Sequence, residues 1–90
     1  MQDAEHHYEK IREGIMRATF IRQDLVKTFT EYEPKKVRGL NKAYTETLRE
    51  IIRQGELFLD KTDNLELGVK IGQIIENYRA FLSLHDRDKQ

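Results

Sequence analysis

Glu31-Tyr32-Glu33-Pro34 divides the chain. Proline disfavours the α conformation in the residue before it, so a helix should stop near Tyr32 or Glu33. Pro34 itself fits the first turn of a following helix, where a missing N–H costs nothing. Downstream, Asp60-Lys61-Thr62-Asp63-Asn64 makes a second break. There Asp63 offers an N-cap, and Glu66 three residues on would complete a capping box.

Between these breaks the apolar residues recur with a helical period. Ala4, Tyr8, Ile11, Ile15, Ala18, Leu25, Phe29 and Tyr32 step by threes and fours, close to a heptad seam. Val37, Leu40, Tyr44, Leu48, Ile51, Ile52, Phe58 and Leu59 form a wider second stripe, and Leu67, Ile71, Ile74, Ile75, Tyr78, Phe81 and Leu82 a third. No stretch alternates with period two, so no sheet is expected. The reading is all-α: helices near 3–32, 34–59 and 64–85, with 86–90 a frayed tail. Short connections make neighbours antiparallel, giving a single up-down-up bundle over 1–90. The long first helix should overhang, with its apolar stripe from Ala4 to Ile15 covered by the third helix, the tail or another chain.

Composition bounds what such a bundle can do. Ninety residues make one domain, and 16 basic side chains balance 16 acidic ones. A chain this short buries only roughly 60–65% of the surface its unfolded form exposes, so its core is small. Cysteine is absent, which excludes disulfides and thiolate-bound metal. Apolar runs are too short to span a membrane. Met1-Gln2-Asp3-Ala4-Glu5 has neither the basic nor the apolar region of a secretory signal, so a cytoplasmic location is expected.

The second helix carries the clearest charge asymmetry, with six basic and two acidic side chains between residues 34 and 54. At 100° per residue, Lys35, Arg38, Lys42, Arg49 and Arg53 fall within an arc of roughly 60°. Such a stripe suits an acidic protein face or a phosphate backbone. It also suits a solvated face whose charges Glu50 and neighbouring helices compensate. Glu46 within the stripe and the lack of interleaved aromatics weaken the nucleic-acid option.

Arg22 falls where the first seam wants an apolar residue. A buried unpaired charge is costly, so Arg22 must snorkel, pair or lie at an interface, unless a small rotation lets Ile21 take its place. Tyr44 and Tyr78, central on their stripes, could join Arg22 in a polar cluster. Met16 with Phe20, and Leu65 with Val69, are apolar pairs four residues apart on faces that should be polar. Exposed pairs of this kind mark interfaces, and a three-helix bundle has room for one buried stripe per helix. The glycines at 14, 39, 55, 68 and 72 each weaken a helix by roughly 0.5–1 kcal/mol relative to alanine, unless close packing needs them.

The histidines carry little. His6 and His7 point about 100° apart, and Asp3 with His7 would give two ligands, too few for a closed zinc site. Arg79 and His85 form an Arg-x5-His pair, similar to the Arg-x(4–6)-His motif of HEPN-type helical ribonucleases. That resemblance would imply RNA cleavage by these two residues at a dimer interface. It covers two residues only, and the chain is not assigned to that family.

The sequence has no phosphate-cradling glycine loop, metalloprotease signature or nucleophile elbow, and Ser83 is its one serine. The expectation is a non-enzymatic protein-interaction module without cofactor or metal, an adaptor, inhibitor or structural subunit. It would bind a protein partner or a second copy through Met16, Phe20, Leu65, Val69 and the basic stripe. The alternative is a nucleic-acid-binding helical protein using the second helix.

Overall fold

The computed structural model describes the backbone of residues 2–31 and 33–88 and the side-chain surroundings of 4–31 and 33–84. Three helices follow in order: α1 (Gln2–Thr30), α2 (Pro34–Lys61) and α3 (Leu65–Asp88). Pro34 opens α2 as the sequence suggests, with no side-chain cap from Glu33. The N-cap of α3 is Asn64, one residue past the expected Asp63. Its Oδ1 accepts the Leu67 N–H at 3.0 Å, so Leu67 occupies the position a capping box gives to glutamate. The helix also runs three residues beyond 85, through Asp88, where a frayed tail was expected. Tyr32, placed on the apolar stripe and at the helix boundary, lies outside the described residues, as do Lys89 and Gln90 of the tail.

The bundle has α2 at its centre. Helix α1 packs on one flank and α3 on the other, while α1 and α3 make no backbone approach among the described residues. The extents of 47 × 25 × 16 Å fit this flattened order. Both pairs run antiparallel: His7 and Tyr8 meet Gln54 and Phe58, and Phe81 meets Tyr44. Ile11 and Ala18 of α1, Leu48, Ile51, Ile52 and Phe58 of α2, and Ile71, Ile75 and Leu82 of α3 form one buried cluster.

Two expectations about α1 change. Its N-terminal half does not overhang, because α2 is nearly as long and its C-terminal half lies alongside. Ala4, Tyr8 and Ile15 pack against the core. The seam is also rotated. Beyond Ala18, Ile21 and Leu25 are half-buried and Thr28 is buried, while Arg22 is exposed and Phe29 is 75% exposed. The inward-facing line, buried at 11, 18 and 28 and half-buried at the other positions, therefore runs 4, 7, 11, 14, 18, 21, 25, 28, a strict heptad pair of positions. The larger side chains Tyr8, Ile15, Arg22 and Phe29 form the flanking line. Arg22 is not a seam residue, since solvating its guanidinium costs far less than burying it.

Two glycines set the closeness of packing. A Cβ on Gly14 would stand 2.5 Å from Ile51 Cγ1, and one on Gly55 2.7 Å from Ile75 Cδ1. Gly14 seats α1 on α2, and Gly55 seats α3 on α2. Gly39 and Gly72 have nothing within 4 Å of the same position. Gly14→Ala should therefore destabilise the fold by roughly 1–3 kcal/mol through overpacking against the fully buried Ile51. Gly39→Ala should stabilise it by roughly 0.5–1 kcal/mol. Thermal melts of the two variants check both signs.

Candidate functional site

Each helix places apolar side chains in the core and leaves others out. Met16 and Phe20, 61% and 58% exposed, sit on the back of α1. Leu65 and Val69, 86% and 63% exposed, sit on the outer face of α3. The two pairs lie on the outer faces of helices whose backbones do not approach one another, and no contact among the described residues joins them into one patch.

A further apolar surface was not foreseen. Between α1 and α2, at the end where one turns into the other, a groove of about 440 Å³ is lined by Leu25, Val26, Phe29, Thr30, Val37 and Asn41. The sequence assigned Phe29 to the core on its spacing. The signal that could have revealed it is the charge of Arg22 on the same line of the helix, seven residues earlier. That charge disqualifies the line as a seam.

The basic stripe of α2 is exposed along its length but divides in two. Arg53 holds Glu50 with two hydrogen bonds, Nη2 to Oε1 at 2.6 Å and Nε to Oε2 at 3.0 Å. Arg49 is also engaged. Lys35, Arg38 and Lys42 make no ion pair among the described residues. The charges of the C-terminal half are compensated and those of the N-terminal half are not.

Glu50 belongs to a polar chain across the α1–α2 seam. Buried Gln54 donates Nε2–H to Glu50 Oε1 at 3.0 Å, so its carbonyl faces His7. His7 Nδ1 lies 2.6 Å from Gln54 Oε1 and must carry the proton in that bond. His7 is thus a seam residue whose partner is the Gln54 amide. His6 stands edge-on beside it, the ring centroids 5.6 Å apart. No group of three or more metal-ligating side chains converges among the described residues, and Asp3's side chain lies outside them. Hydrogen bonds from Arg53 and then Gln54 hold the Glu50 carboxyl below its ordinary value. Its contribution to stability is present above the ordinary glutamate range and lost as pH falls through the lowered value.

Tyr44 packs edge-on against Phe81, centroids 5.6 Å apart. Tyr78 is half-buried close by. Arg22 is exposed and no contact joins it to either tyrosine, so the expected three-residue polar cluster does not form. Arg79 is tied to Glu56 of α2, Nη2 to Oε1 at 2.6 Å. That accounts for it structurally, and the side chain of His85 lies outside the described residues.

Among the described residues no helix is long and apolar enough to cross a membrane. Comparison with known proteins finds no family model, curated protein or solved structure that matches the chain. Its function must be argued from its own surface.

Burial, and then the neighbouring Tyr44, raise the ionisation of Tyr78 above the ordinary tyrosine value. The folded state favours the neutral phenol, so this stabilisation is full below the ordinary value of 10.0 and is lost as pH rises from there through the raised value of the folded state. In an alkaline titration followed by tyrosinate absorbance, Tyr78→Phe should remove the component that ionises last. If that component survives, the burial assigned to Tyr78 is wrong.

Proposed function

We propose that the chain is a small non-enzymatic helical module that works by binding another protein surface, whether a foreign partner or a second copy. One observation carries this reading. Met16, Phe20, Val26, Phe29, Leu65, Val69 and Leu84 are each more than half exposed. Scattered surface hydrophobes are ordinary, but here all except Leu84 fall in pairs one turn apart on α1 and α3. Burying such side chains on association is worth roughly 1.5–3 kcal/mol each before the costs of binding. The contact surfaces would be the Met16–Phe20 face and the Leu65–Val69 face, with the free cations of α2 steering an acidic partner.

Phe20→Asp should leave helicity and melting temperature nearly unchanged, because the ring is already in water. It should reduce association, read as mass by light scattering during size exclusion or as capture of a bound partner. A variant that melts instead would place Phe20 in the core and sink this use of the α1 face.

The unpaired state of Lys35, Arg38 and Lys42 favours one second reading, a contact with nucleic-acid phosphates. Three such cations on one helical arc suit a short run of backbone, and binding would weaken steeply with salt. Arg38→Glu with Lys42→Glu should then abolish retention of the protein on an immobilised oligonucleotide. No retention of the wild type at low salt ends that reading.

A further inference from the structure

A polar cleft of about 350 Å³ opens midway along the α1–α2 seam, between Lys10, Gly14 and Arg17 of α1 and Thr47, Glu50 and Gln54 of α2. No residue of α3 lines it. Positions 10, 14 and 17 share one edge of α1, and 47, 50 and 54 one edge of α2, so the cleft follows the seam. The two helices close on each other at Gly14, where a Cβ would strike Ile51. That contact makes the floor, and the longer side chains make the walls. Side chains on a helix lean toward its N-terminus. In this antiparallel pair Arg17 and Gln54 therefore lean toward each other along the seam.

The hydrogen-bonding capacity of the cleft is unbalanced. Glu50 already accepts from Arg53 and from Gln54. The Thr47 hydroxyl donates to the Ala43 carbonyl at 2.8 Å. Gln54 Nε2 carries two hydrogens and uses one on Glu50. The second has no acceptor among the described residues, although Gln54 is only 8% exposed. Lys10 stands 3.6 Å from Glu13, an ion pair beyond hydrogen-bond reach. Arg17 makes neither an ion pair nor a hydrogen bond among the described residues. The unused groups are thus mainly donors: a guanidinium, an ammonium and an amide N–H.

Charge points the same way. The lining holds three cations, Lys10, Arg17 and Arg53, against two carboxylates, Glu13 and Glu50. On the α2 rim Glu46 adds a carboxylate, with Lys42 and Arg49 one turn to either side. Along α1, Asp24 lies two turns past Arg17, and His7 one turn before Lys10. The balance stays positive with these included. We propose that the cleft binds a small oxyanion, a carboxylate or phosphate group, held by the Arg17 guanidinium and the second amide hydrogen of Gln54, with Lys10 beside it. A guanidinium presents paired N–H groups to two oxygens of such a group, and partial enclosure strengthens the bond relative to open water. One negative charge brings the lining to neutrality. The site uses neither the exposed apolar pairs nor the outer face of α2, so it is independent of the interaction-module reading.

Amide chemical shifts of the isotope-labelled full chain test the proposal. The chain is titrated with sodium phosphate and, separately, with sodium acetate, at an ionic strength held constant with sodium chloride. Saturable shifts should appear at Gly14, Thr47 and the Gln54 side-chain amide, and not at Arg38 or Lys42 on the outer face of α2. Saturation by both anions assigns any oxyanion, by acetate alone a carboxylate, and by phosphate alone a phosphate group. Arg17→Gln should raise the apparent Kd roughly tenfold or more. Arg17→Lys keeps the charge but loses the fork, and should fall between that variant and the wild type. Arg38→Gln should bind as the wild type does. Arg17 and Arg38 are exposed, so circular dichroism and melting temperature should hold in all three.

No saturable shift with either anion overturns the site. So does an Arg17→Gln chain that titrates like the wild type. Shifts that chloride alone reproduces, or that follow Arg38 and Lys42 as closely as Gly14 and Thr47, mean an adventitious ion only and overturn it too.

Discussion

The approach of α1 to α2 at Gly14 is the constraint on which the other contacts hang. With no side chain there, the α1 backbone settles against Ile51, which is 1% exposed. That brings Ile11 and Ala18 into the cluster and fixes the rotation of α1 about its axis. The rotation places His7 opposite Gln54, sends Arg22 to solvent and turns Phe29 out at the far end. A bulkier residue at position 14 would push the helices apart and loosen all of these together. Gly55 does the same for α3 by admitting Ile71 and Ile75.

The polar members of the seam fit the same geometry. Thr28, Thr45 and Gln54 are buried, yet no buried side-chain nitrogen or oxygen among the described residues lacks a partner. Gln54 uses its carbonyl on His7 and its amide on Glu50, with Arg53 closing the chain. Sliding α1 by one turn along α2 would leave the Gln54 carbonyl facing an apolar side chain, and an unmet buried amide costs roughly 1–3 kcal/mol. The network thus selects one register from several that the apolar stripes alone would tolerate.

The number, order and direction of the helices were legible because apolar period and Pro34 are local signals. The rotation of α1 was not. Its larger apolar side chains, Tyr8, Ile15 and Phe29, lie on the line beside the seam, while the seam itself uses His7, Gly14, Ile21 and Thr28. Hydrophobicity alone does not separate the two lines, since Tyr8 and Ile15 also pack against the core and of these three only Phe29 turns out. The charge on Arg22 pointed to the correct rotation. The cap of α3 moved by one residue for a similar reason, since Asp63 and Asn64 both cap well and only the path of the turn separates them. Of the candidate surfaces, the exposed pairs Met16–Phe20 and Leu65–Val69 were visible in the sequence as surplus over one stripe per helix. The groove at the α1–α2 turn was not, because it depends on the rotation of α1 that turns Phe29 outward.

The central place of α2 also shapes how the molecule would yield under load. The backbones of α1 and α3 make no close approach among the described residues, so the backbone contacts of α2 fall into two separate interfaces. A pull on the end of α3 would be borne by Gly55, Leu59 and their partners first, and would reach α1 only after passing through the body of α2. Because the α1–α2 interface is the more extensive and carries the polar seam, the third helix should slide free first and the α1–α2 hairpin give way last.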